Sequence, residues 1–162
     1  MTHSIPWRVR PRRTLAFTLL LAVAAACGDD NPLRPEITAL SDAEARWTSV
    51  RPASNSYSME QQVACFCGTG GTIFQVVVTG GAVVRARNLT TGADLPVAQH
   101  PMFRTIDQLF DEVRAALLTP GMLTSVEFDQ ASGYPSTVGL DPIKQAADDE
   151  VTYVTRRVIL QP

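Results

Sequence analysis

The chain has 162 residues, 14 lysines and arginines against 16 aspartates and glutamates, and 45% hydrophobic side chains. That length holds one domain with a real core. The slightly acidic balance lacks the basic surface that nucleic acids select. Beyond the first 26 residues, no apolar run approaches the roughly 18 residues that span a bilayer.

Residues 1–26 read as a segment that is removed. Arg8, Arg10, Arg12 and Arg13 precede an apolar stretch that closes as Leu21-Ala22-Val23-Ala24-Ala25-Ala26-Cys27. A basic start, an apolar run of about a dozen residues and a small-residue cleavage site make a secretory signal. A cysteine placed directly after the small residues makes it resemble a bacterial lipoprotein signal. The resemblance implies cleavage before Cys27 and lipidation of its sulfur and its new amino group. Two or more acyl chains anchor stably, so the expected partner is the membrane, reached through a lipid and not a spanning helix. By resemblance to enteric lipoprotein sorting, Gly28 after the cysteine leans towards the outer membrane, facing the periplasm. Without the four arginines, the mature chain of about 135 residues carries about 10 basic and 16 acidic groups, near −6. That favours solubility and opposes docking on anionic lipid or nucleic acid.

Residues 27–39 contain Pro32 and Pro35 among polar residues and predict an extended tether. A single domain is expected over 40–162. Ser41 and Glu44 fit a capping box that opens a short helix through Trp47 to Val50, stopped by Pro52. From Ser56 to Cys67, Tyr57, Met59, Val63, Cys65 and Cys67 fall on one face of a strand. Gly68 to Gly71 is a turn. Ile73–Thr79 and Ala82–Leu89 flank Gly80-Gly81, a two-residue hairpin whose glycines permit positive φ. His100 lies in a polar loop and is expected to be exposed. Thr105 and Gln108 form a second capping box. Ile106, Leu109, Phe110, Val113, Ala116 and Leu117 recur at helical spacing behind it. Leu123–Asp129, Tyr134–Leu140 and Val151–Leu160 complete the strands, with Pro135 marking an edge or a bulge. The sum is an α+β fold: an antiparallel sheet of about six strands with one main amphipathic helix packed on a face.

Chemistry concentrates in two places. Cys65-Phe66-Cys67 offers a disulfide, a redox pair or part of a metal site. Residues two apart in a flat strand sit roughly 6.7 Å apart at Cα with parallel Cβ vectors. A disulfide between them therefore needs a kinked backbone. A structural zinc site needs four soft ligands, and His100 is the one histidine after the signal. The second place is acidic. Asp141, Asp148, Asp149 and Glu150 offer carboxylates for a cation, but their spacing is not that of an EF-hand. The serines show no nucleophile-elbow pattern, and no Gly-Lys-Ser/Thr follows the glycine turn. No catalytic residue, resident metal or cofactor is implied.

Cys65-Phe66-Cys67, Thr105-Ile106-Asp107-Gln108-Leu109-Phe110, Gly133-Tyr134-Pro135 and Asp148-Asp149-Glu150 follow one another in that order. With the lipoprotein signal in front, the chain resembles the bacterial lipoproteins that carry domain of unknown function 6174, over about Ala43 to Val158. Gly68 stands where that family often has proline. The resemblance implies a secreted or lipid-anchored domain with paired cysteines and no assigned activity. The expectation is a lipid-anchored cell-envelope protein, a non-catalytic module that binds an envelope protein or peptide or serves structurally. The alternative is a thiol-disulfide redox protein using Cys65 and Cys67.

Overall fold

The computed structural model describes residues 34–66, 70–143, 146 and 148–161. The expected signal at 1–26, Cys27 and Cys67 lie outside them. The described elements are α1 (Arg34–Val50), β1 (Ser56–Cys65), β2 (Ile73–Thr79), β3 (Ala82–Asn88), a 3₁₀ turn (Val97–Met102), α2 (Ile106–Leu117), β4 (Leu123–Phe128), β5 (Pro135–Leu140) and β6 (Val151–Gln161). The six strands form one antiparallel sheet in the order β3-β2-β1-β6-β5-β4. Two meanders, one from each half of the chain, join where β6 pairs with β1.

Alternation builds the core face. Tyr57, Met59, Gln61 and Val63 of β1 are buried, as are Phe74, Val76 and Val78 of β2 and Tyr153 and Thr155 of β6. The opposite face carries Glu60, Gln62 and Thr137, half-buried, and Gln75, exposed. Both helices contribute to the single core cluster, so both cover the same face of the sheet. Gly80 and Gly81 have φ of 59° and 78°, the primed turn that the sequence predicts. In β6 the pairing slips between Ser58 and Glu60, and Arg157 takes φ 49°. This bulge shifts the strand's parity, so Val158 packs against the core where Arg157 would otherwise point. The mixed faces of β6 follow from that one extra residue.

α2 is held as its sequence dictates. Thr105 Oγ1 accepts from the Gln108 N–H, and Gln108 Oε1 accepts from the Thr105 N–H. Its buried stripe is Ile106, Leu109, Phe110, Val113, Ala116 and Leu117. Phe110 stacks on Phe128 of β4, with centroids 6.2 Å apart.

α1 departs from expectation. It begins by Arg34, so Ser41 and Glu44 are interior and no capping box forms there. The physical reason is Pro35. In the first turn a proline loses nothing by lacking an N–H, and its fixed φ suits the helix. Glu36 adds a charge favourable to the dipole. Residues 34–39, expected as tether, are helical, and 35–39 are exposed. His100 also differs. The 3₁₀ turn folds its ring inward, where Nε2 meets the Leu95 carbonyl at 3.3 Å, so it is buried.

Candidate functional site

Adjacent antiparallel pairs fix which residues share an end of the domain. Cys65 pairs with Val151, Val151 with Leu140, and Leu140 with Leu123. The C-terminus of α2 and the start of α1 meet there too, since Glu36, Leu117, Pro120 and Leu123 line one recess of about 390 Å³. Cys65 is held in a disulfide. It ends β1, half-buried, and Phe66 beside it is exposed.

The opposite end is a braced junction. Asp107, in the first turn of α2, accepts from Trp47 Nε1 at 3.3 Å, Arg51 NH1 at 3.1 Å and Asn55 Nδ2 at 2.8 Å. Asn55 has φ 46°, a left-handed corner that asparagine tolerates. Its carbonyl accepts from Gly81 N in the β2–β3 hairpin. Tyr57 Oη accepts from the Ile106 N–H at 2.8 Å, satisfying a donor that the helix start leaves free. Burial pushes the Tyr57 phenol up to about 12, an effect that the Ile106 hydrogen bond opposes. Gln61, fully buried, donates to the Arg104 carbonyl and to Thr155 Oγ1 and accepts from the Arg104 N–H. The start of α2 is thus fastened to β1 at two side chains.

Between α1 and α2 runs a cleft of about 290 Å³ lined by Glu44, Trp47, Arg51, Asp107, Phe110 and Arg114, among others. Its ionic groups are already engaged: Arg51 with Asp107, and Arg114 with both Glu44 and Asp111. A recess of about 550 Å³ lies between the hairpin, the 3₁₀ turn and the start of α2, with Val83, His100 and Arg104 on its walls. Arg104 is itself committed. It pairs with Glu112 at 3.0 Å and lies over the Tyr153 ring.

The acidic residues do not converge. No group of three or more His, Cys, Asp or Glu among the described residues, Asp141, Asp148, Asp149 and Glu150 included, is arranged to hold a metal. Strand pairing does bring them to the Cys65 end of the sheet, since Leu140 pairs with Val151 across that connection. The braced junction is what sequence reasoning missed. Trp47, Arg51 and Asn55 lie 52 to 60 residues before Asp107, so no local motif joins them to it. The one local hint was Asn55, a residue suited to positive φ, directly before a strand.

Gly133 accounts for a further fragment. It has φ 80°, and a Cβ there would lie 2.3 Å from the Ala43 carbonyl oxygen and 2.8 Å from Arg46 Cβ. The β4–β5 turn therefore presses its bare backbone against α1.

Two antiparallel helices on one face of a six-stranded antiparallel sheet define a small α+β domain. The chain belongs to the family of unknown function DUF6174, whose model matches residues 39–160, from the second turn of α1 to the end of β6. No curated protein and no solved structure matches it. No helix among the described residues is long and apolar enough to cross a membrane.

Proposed function

We propose that this protein is a lipid-anchored cell-envelope module, held at the outer membrane through Cys27, that binds an envelope protein or peptide without performing chemistry on it. The observation that carries the reading is the disulfide at Cys65. Disulfides persist in oxidising compartments, as expected of an exported chain. The position of this one also argues against a redox role. A reactive thiol is activated by a helix N-terminus or a neighbouring cation. The start of α2 is fastened to Tyr57, eight residues along β1 from Cys65, or about 26 Å at the usual rise. Its dipole is felt only within the first turn. With Cys27 lipidated, Cys67 is the remaining partner, and the bond is a local crosslink at the end of β1.

Mass spectrometry and thiol counting test this together. Membrane-extracted protein is expected to begin at a modified Cys27, to show no free thiol, and to show two after reduction. A double Cys65→Ser/Cys67→Ser variant is expected to keep its partner in a pull-down while it remains folded. Rapid iodoacetamide labelling of one cysteine at about pH 6, with a reversible potential in the periplasmic range, would replace this reading with the redox one.

A further inference from the structure

We infer that the end of the domain bearing Cys65 is a membrane-contacting surface, seated on the bilayer that holds the anchor, with Phe66 and Leu118 entering the interface. The inference rests on the lipid-anchor reading and adds an orientation to it. Its first support is reach. α1 is in place by Arg34, so only six residues, 28–33, separate Cys27 from the helix. Fully extended, the seven steps from Cys27 to Arg34 span at most about 25 Å. The start of α1 must therefore stay near the membrane, and the strand pairing puts Cys65, the C-terminus of α2 and the β5–β6 connection at the same end.

The second support is what that end displays. Phe66 is 84% exposed, Leu118 82%, Ile143 56% and Ile37 46%. They come from four separate segments: the ends of β1, α2 and β5, and the first turn of α1. Large apolar side chains exposed at one end, with none of the described elements covering them, mark an interaction site. The recess between Glu36, Leu117 and Leu123 lies at the same end. Aromatic and aliphatic side chains at a tethered end insert shallowly at the level of lipid headgroups. The exposed Asp148 and Glu150 lie at this end as well, so the surface suits zwitterionic rather than anionic lipid.

The test places a tryptophan at each end of the full lipidated protein. Phe66→Trp and Leu118→Trp probe the tether end, and Ile159→Trp the far end, where Ile159 is 62% exposed. All three sites are exposed, and the buried Trp47 supplies a constant background. Each variant is reconstituted into vesicles of phosphatidylcholine with brominated acyl chains, checked for fold by circular dichroism and for anchoring by flotation. Bromine is expected to quench the probes at 66 and 118 at least twofold more strongly than the probe at 159. Protein that floats but shows equal or weaker quenching at 66 and 118 overturns the inference and leaves the anchor standing. So does floating protein in which those probes are unquenched and the protein sediments as a dimer, since a second copy then covers the surface. Protein that does not float overturns the anchor and the inference with it.

Discussion

The two ends of this domain are built on opposite principles. At one end, Asn55, Tyr57, Asp107 and Gly133 tie the hairpin, β1, α2, α1 and the β4–β5 turn together through side-chain hydrogen bonds, the hydrogen bond from Gly81 N–H to the Asn55 carbonyl and the backbone contact at Gly133. At the other end, Cys65 carries a covalent bond while Phe66, Leu118 and Ile143 face outward. The first end spends its polar groups on its own chain. The second leaves large apolar groups exposed among the described residues. A monomeric domain gains nothing from the second arrangement, whereas a tethered one gains a contact surface. The contrast separates the part of the sequence that specifies the fold from the part open to a neighbour.

Four substitutions sharpen or break the contrast. The largest effect is expected in the core both ends share. Phe110→Ala removes a buried ring stacked on Phe128 and should cost about 3–5 kcal/mol in urea denaturation. An unchanged midpoint would mean that α2 does not support the sheet through this face. Next is Gly133→Ala at the braced end. A methyl group there meets the Ala43 carbonyl and must also adopt positive φ. A loss of about 2–4 kcal/mol is expected, and a neutral result would show that α1 is not pinned by the turn.

Tyr57→Phe should cost about 1–3 kcal/mol, because the Ile106 N–H loses its acceptor. It also has a pH signature. Burial raises the folded phenol to about 12, so the folded state holds its proton longer than the unfolded chain, which titrates near 10. The stability from this group is complete below about pH 10 and is lost as pH climbs towards about 12, an effect of about 2–3 kcal/mol. Burial raises Tyr134 and Tyr153 in the same direction. The variant should therefore flatten only part of the alkaline fall in melting temperature. A variant with an identical alkaline limb would remove Tyr57 from this account. The smallest effect belongs to the other end. Phe66→Ala should leave stability within about 0.5 kcal/mol, because the ring is exposed. A larger loss would mean that Phe66 packs against its own chain and that the ends are less different than they look.

Much of this fold was legible because its signals are local. The capping box at Thr105, the heptad-like stripe behind it and the glycine pair at 80–81 each need only a few neighbouring residues to be read. Local reasoning failed where a distant element decided. Ser41 and Glu44 spell a capping box, yet Glu44 instead pairs with Arg114 on α2, and Pro35 lets the helix start earlier. His100 sits in a polar stretch, yet the 3₁₀ turn folds its ring under the Leu95 carbonyl. Gln61 continues the buried face of β1, although its amide gives no hydrophobic signal. It is tolerated inside because the Arg104 backbone and Thr155 satisfy it. Of the candidate site residues, Cys65 was visible as chemistry but not as a position. Only the strand pairing shows that it shares an end with the start of α1.

The strand order has a consequence for the life of the chain before it folds. β6 is the last strand made and one of the two central ones. Until residue 161 has emerged, β1 and β5 each present an open row of N–H and C=O groups, and the two meanders have no common seam. Contacts that join the chain's end to its beginning close slowly, because a long loop must be fixed first. Such waiting edges are also where another chain can pair. If the chain is exported as proposed above, this delay acts as a timer. The six-stranded sheet cannot lock until β6 is in place, and until then its open edges are β1 and β5.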